Sequence, residues 1–202
     1  MASFKPLALV LFLVPACMAA QDATAPEFHA GQWALQFGGN LDLATFGIMR
    51  FSGPRSALVL NLDVAGQFLK GTVIQSSVGI SDANDHTSFF RASIGRQSYH
   101  AIRSRVRAFH SFGLTGGYLD QQNTFGVGIS QKSTAWFGGL LAQAGGAYWL
   151  SSNISLGGTG SLSTTYQHRH TTQTGGGGTS ELKQHGIVIS GLDVALVLAI
   201  YF

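Results

Sequence analysis

The sequence predicts an all-β chain: an eight-stranded antiparallel up-and-down barrel of the transmembrane kind. Three observations predict it. First, the tail from Val194 to Phe202 alternates without a break, with Val194, Leu196, Leu198, Ile200 and Phe202 on one large apolar face. Ala195, Val197, Ala199 and Tyr201 make a smaller second face. In water such a strand invites aggregation, whereas against lipid it does not. Second, beyond the first turn the connections run short, long, short, long, short, long: 53–55, 69–87, 101–104, 117–135, 151–153 and 168–186. Outer-membrane barrels sort their loops this way, with short periplasmic turns, longer external loops and an even strand number. Third, nothing after the leader has the roughly 20 uninterrupted apolar residues of a spanning helix. A closed barrel is then the way to cross a bilayer with every backbone group satisfied.

The elements follow in order. A first strand runs from about Gly31 to Gly39, with Trp33, Leu35 and Phe37 opposite Ala34, Gln36 and Gly38. The turn Asn40 to Asp42 leads to a second, about Leu43 to Ser52, whose facing is ambiguous because Arg50 shares the parity of Phe46 and Ile48. Gly53-Pro54-Arg55 is a tight turn. The third strand, Ser56 to about Phe68, sets Leu58, Leu60, Leu62 and Val64 against Val59, Asn61, Asp63 and Ala65. A fourth, about Ser88 to His100, sets Phe90, Ala92 and Ile94 against Arg91, Ser93 and Gln97. The fifth, about Arg105 to Gly116, sets Val106, Ala108, Phe112 and Leu114 against Arg105, Arg107 and Ser111. The sixth spans about Trp136 to Leu150. The seventh, Ile154 to about Gln167, places Ser155, Thr159, Ser161, Ser163, Thr165 and Gln167 on one side. Gly175 to Gly178 marks a loop tip, and the eighth strand runs from about Ile187 to Phe202.

The start of the chain reads as a secretory leader over residues 1–20. Lys5 precedes the apolar run Leu7 to Val14, and the small residues Ala16, Ala19 and Ala20 follow. Val14-Pro15-Ala16-Cys17 also loosely matches a lipoprotein cleavage box, with Cys17 as the lipidated residue, although Pro15 fits it poorly. Cys17 is the only cysteine, so cleavage after Ala19 or Ala20 leaves no disulfide and no cysteine metal site in the barrel domain, 21–202. Charged residues are only 10% of the chain and 27 of 202 residues are Gly, which suits a wall that is uncharged outside and closely packed. The formal charge of +3 comes without a basic run interleaved with aromatics, which excludes a nucleic-acid partner.

With these residues in hand, the tail resembles the C-terminal assembly signal of bacterial outer-membrane barrels. The whole resembles the small eight-stranded family that includes the opacity proteins and the barrel of outer membrane protein A. The resemblance implies a bacterial outer-membrane location, and the loop order with an even strand number then puts both termini in the periplasm. The resemblance also implies outer-membrane lipids around the wall and the barrel-assembly machinery as a partner during biogenesis. Loops on a rigid scaffold commonly carry function, so an external ligand at the long loops is a further expected partner.

An eight-stranded barrel is just wide enough for side chains to fill it. Asp63, Arg91, Arg105, Arg107 and Asp193 have inward parity, and Asp63 and Arg91 stand at similar heights on neighbouring strands. They are expected to form a buried ion network that closes the lumen, the alternative being a narrow pore lined by the same charges. His168 and His170 lie two apart, as a chelating pair does, with His185 and Glu181 nearby. A solvated loop is the simpler reading, and no metal or cofactor is expected. His110 has lipid-side parity.

A hydrolase needs a nucleophile, a base within hydrogen-bond reach and an orienting group. His110 and Ser111 are adjacent and so face opposite ways, and His168 differs in parity from Ser163. The expectation is a non-catalytic barrel that serves envelope integrity or surface interaction. The alternative is a lipid-modifying enzyme of the acylase or deacylase type. A His, Ser and carboxylate cluster on the outward face near the external aromatic belt is the feature that favours the enzyme.

Overall fold

The computed structural model describes residues 27–41, 43–75, 79–125, 129–175 and 177–202. The segment expected to be a leader, and Cys17 with it, lie outside them. The described residues form eight strands: β1 (Trp33–Gly39), β2 (Ala44–Gly53), β3 (Ser56–Gln75), β4 (Gly79–Arg103), β5 (Val106–Phe125), β6 (Ile129–Trp149), β7 (Ile154–Gly175) and β8 (Gly178–Tyr201). Each pairs antiparallel with its sequence neighbours, and β1 pairs with β8 to close the barrel. Closure is finished at the chain end, where Trp33 and Phe202 exchange backbone hydrogen bonds of 3.1 and 3.0 Å.

The predicted long loops are a correction. Residues 69–75 and 79–87, 117–125 and 129–135, and 168–175 and 178–186 continue the strands as three long hairpins. Sequence alternation fades there because polar residues fall on both parities, so period two no longer separates an apolar side from a wet one. β1 and β2 are much shorter. β3 pairs with β2 no further than Val64, and β8 with β1 no further than Leu196. Beyond those points the described wall consists of β3 to β8.

The strands are tilted, as a closed barrel requires. One register row runs Gln36, Gly47, Asn61, Ser93, Thr115, Gly139 and Thr165, and returns to β8 at Val188 rather than at Ala199. Leu58, Leu60, Leu62, Val64, Ile94, Phe112, Leu114, Leu140, Leu162, Val194 and Leu196 are exposed on the outer surface. Aromatic residues bound this apolar band. Trp33 and Tyr148 lie toward the termini, and Phe90, Tyr118, Trp136 and Tyr166 toward the long hairpins. Trp136 and Tyr148 share β6, and the span between them is about 40 Å along the strand. A tilt of about 40° turns that into roughly 30 Å of height, close to the apolar band of a membrane barrel.

Arg50, ambiguous in the sequence, faces outward at the terminal end with its guanidinium 5.5 Å from the ring centre of Trp33. Arg96 is also exposed outside, and its Nε reaches back 2.9 Å to Ser56 Oγ at the start of β3. Both cations are drawn toward the end of the band, as long basic side chains on a lipid face are. Inside, glycines make room for rings. A side chain at Gly117 would strike the Phe137 ring, and one at Gly145 the Phe109 ring, at 2.6 Å in each case.

Candidate functional site: a lumen closed in tiers

At the terminal end the lumen is closed by aromatics. Gly31 N donates to Phe51 O and Phe51 N to Gln32 O, both at 2.8 Å, which extends the pairing of β1 with β2. Gly31 then adopts φ +87°, a left-handed conformation that L side chains resist. The turn sends Phe28 into the barrel mouth, where it is 1% exposed. Its ring stacks on Phe51 at 4.0 Å and on Tyr201 at 5.6 Å, and tilts against Tyr99 at 4.9 Å and Trp149 at 5.8 Å. Arg107 lies with its guanidinium 4.5 Å from the Phe28 ring centre and 5.6 Å from that of Trp149. Gln97 Nε2 donates to Tyr99 Oη at 2.7 Å, and Ser155 Oγ and Tyr201 Oη are 3.0 Å apart.

The next tier is polar. Ser111 Oγ donates to Gln143 Oε1 at 3.1 Å. Above it Asp63 and Arg91 are register partners on β3 and β4, with Arg91 Nε 2.6 Å from Asp63 Oδ2. Thr45 Oγ1 donates to the other carboxylate oxygen at 2.7 Å. The Asp63 side chain is 6% exposed and that of Arg91 19%. Asn40 Nδ2 donates to Asp193 Oδ1 at 2.9 Å beneath the β1–β2 turn. The space left at this level is a cavity of about 50 Å³, room for one or two waters. The highest tier stacks Phe89 on Phe137 at 5.8 Å, beside a cavity of about 170 Å³ lined also by Leu119, Thr165 and Val188.

Of the five charged residues singled out in the sequence, Asp63, Arg91 and Asp193 share the polar tier, and Arg105 and Arg107 lie toward the terminal end, so the five do not form one network. Asp63 and Arg91 meet. Asp193 lies on Asn40, Arg107 belongs to the aromatic floor, and Arg105 lies in the turn before β5 rather than within that strand. Sequence reading missed Phe28, Tyr99, Trp149 and Tyr201 as the floor. The inward parity of Tyr99 with Gln97, and of Tyr201 with Ala199, carried the signal. The position of Phe28, before any strand, carried none.

Val194, Leu196, Leu198, Ile200 and Phe202 all point outward from β8 and its end. On the outer surface His100 Nε2 and His110 Nδ1 are 3.3 Å apart near the terminal end. Toward the hairpins His168 stacks on Trp136 at 5.6 Å, and His170 Nε2 lies 3.5 Å from Glu181 Oε2. Among the described residues no three His, Cys, Asp or Glu groups gather as a metal site.

No protein-family model and no curated protein sequence matches the chain. Among solved structures it is similar to a major outer membrane protein from Thermus thermophilus. The TM-score is 0.61 at 14% identity, covering 86% of this chain and 100% of that one. That likeness shows a shared barrel fold. Ail, the attachment invasion locus protein of Yersinia pestis, aligns at TM-score 0.40 and 10% identity over 84% of this chain and 93% of its own. Acinetobacter baumannii CarO aligns at 0.34 and 10% over 86% and 97%.

Proposed function

We propose that the chain is a bacterial outer-membrane barrel whose lumen is sealed and whose rigid wall carries three long hairpins to the cell exterior, with both termini in the periplasm. It serves envelope integrity or contact with external ligands through those hairpins. The observation that carries this reading is the combination of an apolar outer band between two aromatic belts with a lumen filled from Phe28 up to the Asp63–Arg91 pair. An interior packed in this way supports a scaffold over a pore.

Closed barrels have no free edge in the closed region and resist detergent. The purified protein is expected to migrate differently in boiled and unboiled gel samples, to fractionate with outer membranes, and to give negligible current in planar bilayers. Recovery as a soluble periplasmic monomer, or a steady ion current through the wild type, overturns the reading.

The outward row Val194 to Phe202 is proposed as the signal read by the barrel-assembly machinery. Phe202 also contributes two of the backbone bonds that close β8 on β1. Deleting it is expected to cost about 2 kcal/mol in lost bonds alone. Most of the protein should then appear in the periplasm as degraded or aggregated chain. Normal amounts of heat-modifiable barrel from the deletion variant would refute this role.

A further inference from the structure

On β4, His86 and Ser88 stand two residues apart on the outward face, two strand positions beyond Phe90. Ser88 Oγ lies 3.2 Å from His86 Nε2. In the register Ser88 is opposite Asp120 of β5, and His86 is opposite Gln122. Asp120 Oδ1 is buried and has no hydrogen-bond partner among the described residues. A buried carboxylate oxygen without a donor is costly and calls for a reason. On its other side Ser88 is opposite Gly66 of β3, which has no side chain of its own to set against the hydroxyl. Just below lie Val64, Phe90 and Tyr118, a register row of exposed apolar residues at the hairpin edge of the band. A nucleophile, a base in contact with it and a neighbouring carboxylate thus stand at the height where a lipid changes from acyl chain to polar head.

We propose that Ser88, His86 and Asp120 form an interfacial esterase site that cleaves ester-linked acyl chains of outer-leaflet lipids. The acyl chain lies along Val64, Phe90 and Tyr118, which brings the ester carbonyl to Ser88. His86 Nε2 takes the hydroxyl proton as Ser88 Oγ bonds to the carbonyl carbon. The tetrahedral intermediate collapses by breaking the bond to the alcohol oxygen, which leaves with the proton from His86. Water, deprotonated by His86, then cleaves the acyl-serine and releases the fatty acid. The sum is ester plus water to acid plus alcohol. Asp120 is a positioning residue: turning its donorless oxygen toward the second nitrogen of His86 orients the imidazole and stabilises its protonated form. Gln122, next to the pair, supplies side-chain amide donors for the oxyanion, because the ladder amides are spent on their neighbours.

Such an activity departs from the expectation of a non-catalytic barrel. It rests on the outer-membrane reading only for the choice of lipid substrate. The test uses the full mature barrel in detergent micelles, with p-nitrophenyl decanoate and an ester-linked phospholipid as substrates and a fluorophosphonate as covalent probe. The probe is expected on Ser88 in the wild type, located by mass spectrometry. Ser88→Ala and His86→Gln should each lower kcat by about a thousandfold or more while heat-modifiable migration is kept. Asp120→Asn should lower kcat with KM unchanged, and Asp120→Glu should restore most of it. Absence of both labelling and fatty-acid release overturns the proposal, as does hydrolysis that persists unchanged in Ser88→Ala. Outer-membrane fractionation reports on the location separately, so failure of the chemistry and failure of the location are distinguishable.

Discussion

Asp63→Ala is expected to destabilise the barrel by about 3–5 kcal/mol, because it strands the Arg91 guanidinium inside the wall. The charge pair is held at 2.6 Å with both side chains largely shielded from water. Thr45 also loses the acceptor for its hydroxyl, which adds a second unsatisfied group at the same level. Replacing both members at once, Asp63→Leu with Arg91→Met, should cost far less. Exchanging a buried pair for apolar residues of similar volume is often neutral or stabilising. The measurement is urea unfolding of the two variants and the wild type in one detergent. A single variant as stable as the wild type, or a double variant as damaged as the single one, contradicts the view that the pair matters through desolvation.

The parts of this architecture legible in the sequence are those where one face of a strand meets apolar surroundings and the other does not. Leu58 to Val64 on β3, and Ile154 to Tyr166 on β7, alternate because lipid-facing and lumen-facing sides demand different chemistry, and the structure keeps their parity. The same reasoning located Asp63 opposite Arg91. It stopped where the chemistry becomes uniform. In the long hairpins polar residues fall on both faces, so His86, Ser88 and Asp120 fall within or beside segments that read as loops, and residues two apart in a loop have no common face. Once β4 is continuous through Gly79–Arg103, their parity follows from Phe90. The barrel mouth was invisible for a different reason. Phe28 acts through a backbone turn at Gly31, and a single left-handed glycine before the first strand leaves no periodic trace.

That mouth gives the other large expected effect. Phe28→Ala should lower stability by about 3–5 kcal/mol, the range for losing a fully buried aromatic side chain. Four rings surround Phe28 within 5.8 Å, and they are anchored on four different strands, β2, β4, β6 and β8. Those strands form a rigid closed wall, so the rings have little freedom to collapse into the space, which places the cost toward the upper part of the range. Arg107 loses the nearer of its two ring partners in the same step. A desolvated cation–π contact contributes roughly 2 kcal/mol or more, although part of that is already counted in the truncation. Phe28→Leu keeps apolar volume but not the ring, and should fall between Phe28→Ala and the wild type. Trp149→Ala, which empties the floor from the wall side, should be at least as damaging as Phe28→Ala. Its partners Tyr201 at 5.6 Å and Phe28 lose contact together. Urea midpoints in detergent order the series. If Phe28→Ala unfolds with the wild type while Trp149→Ala does not, the chain before β1 is not seated in the lumen and the floor is built by the strands alone.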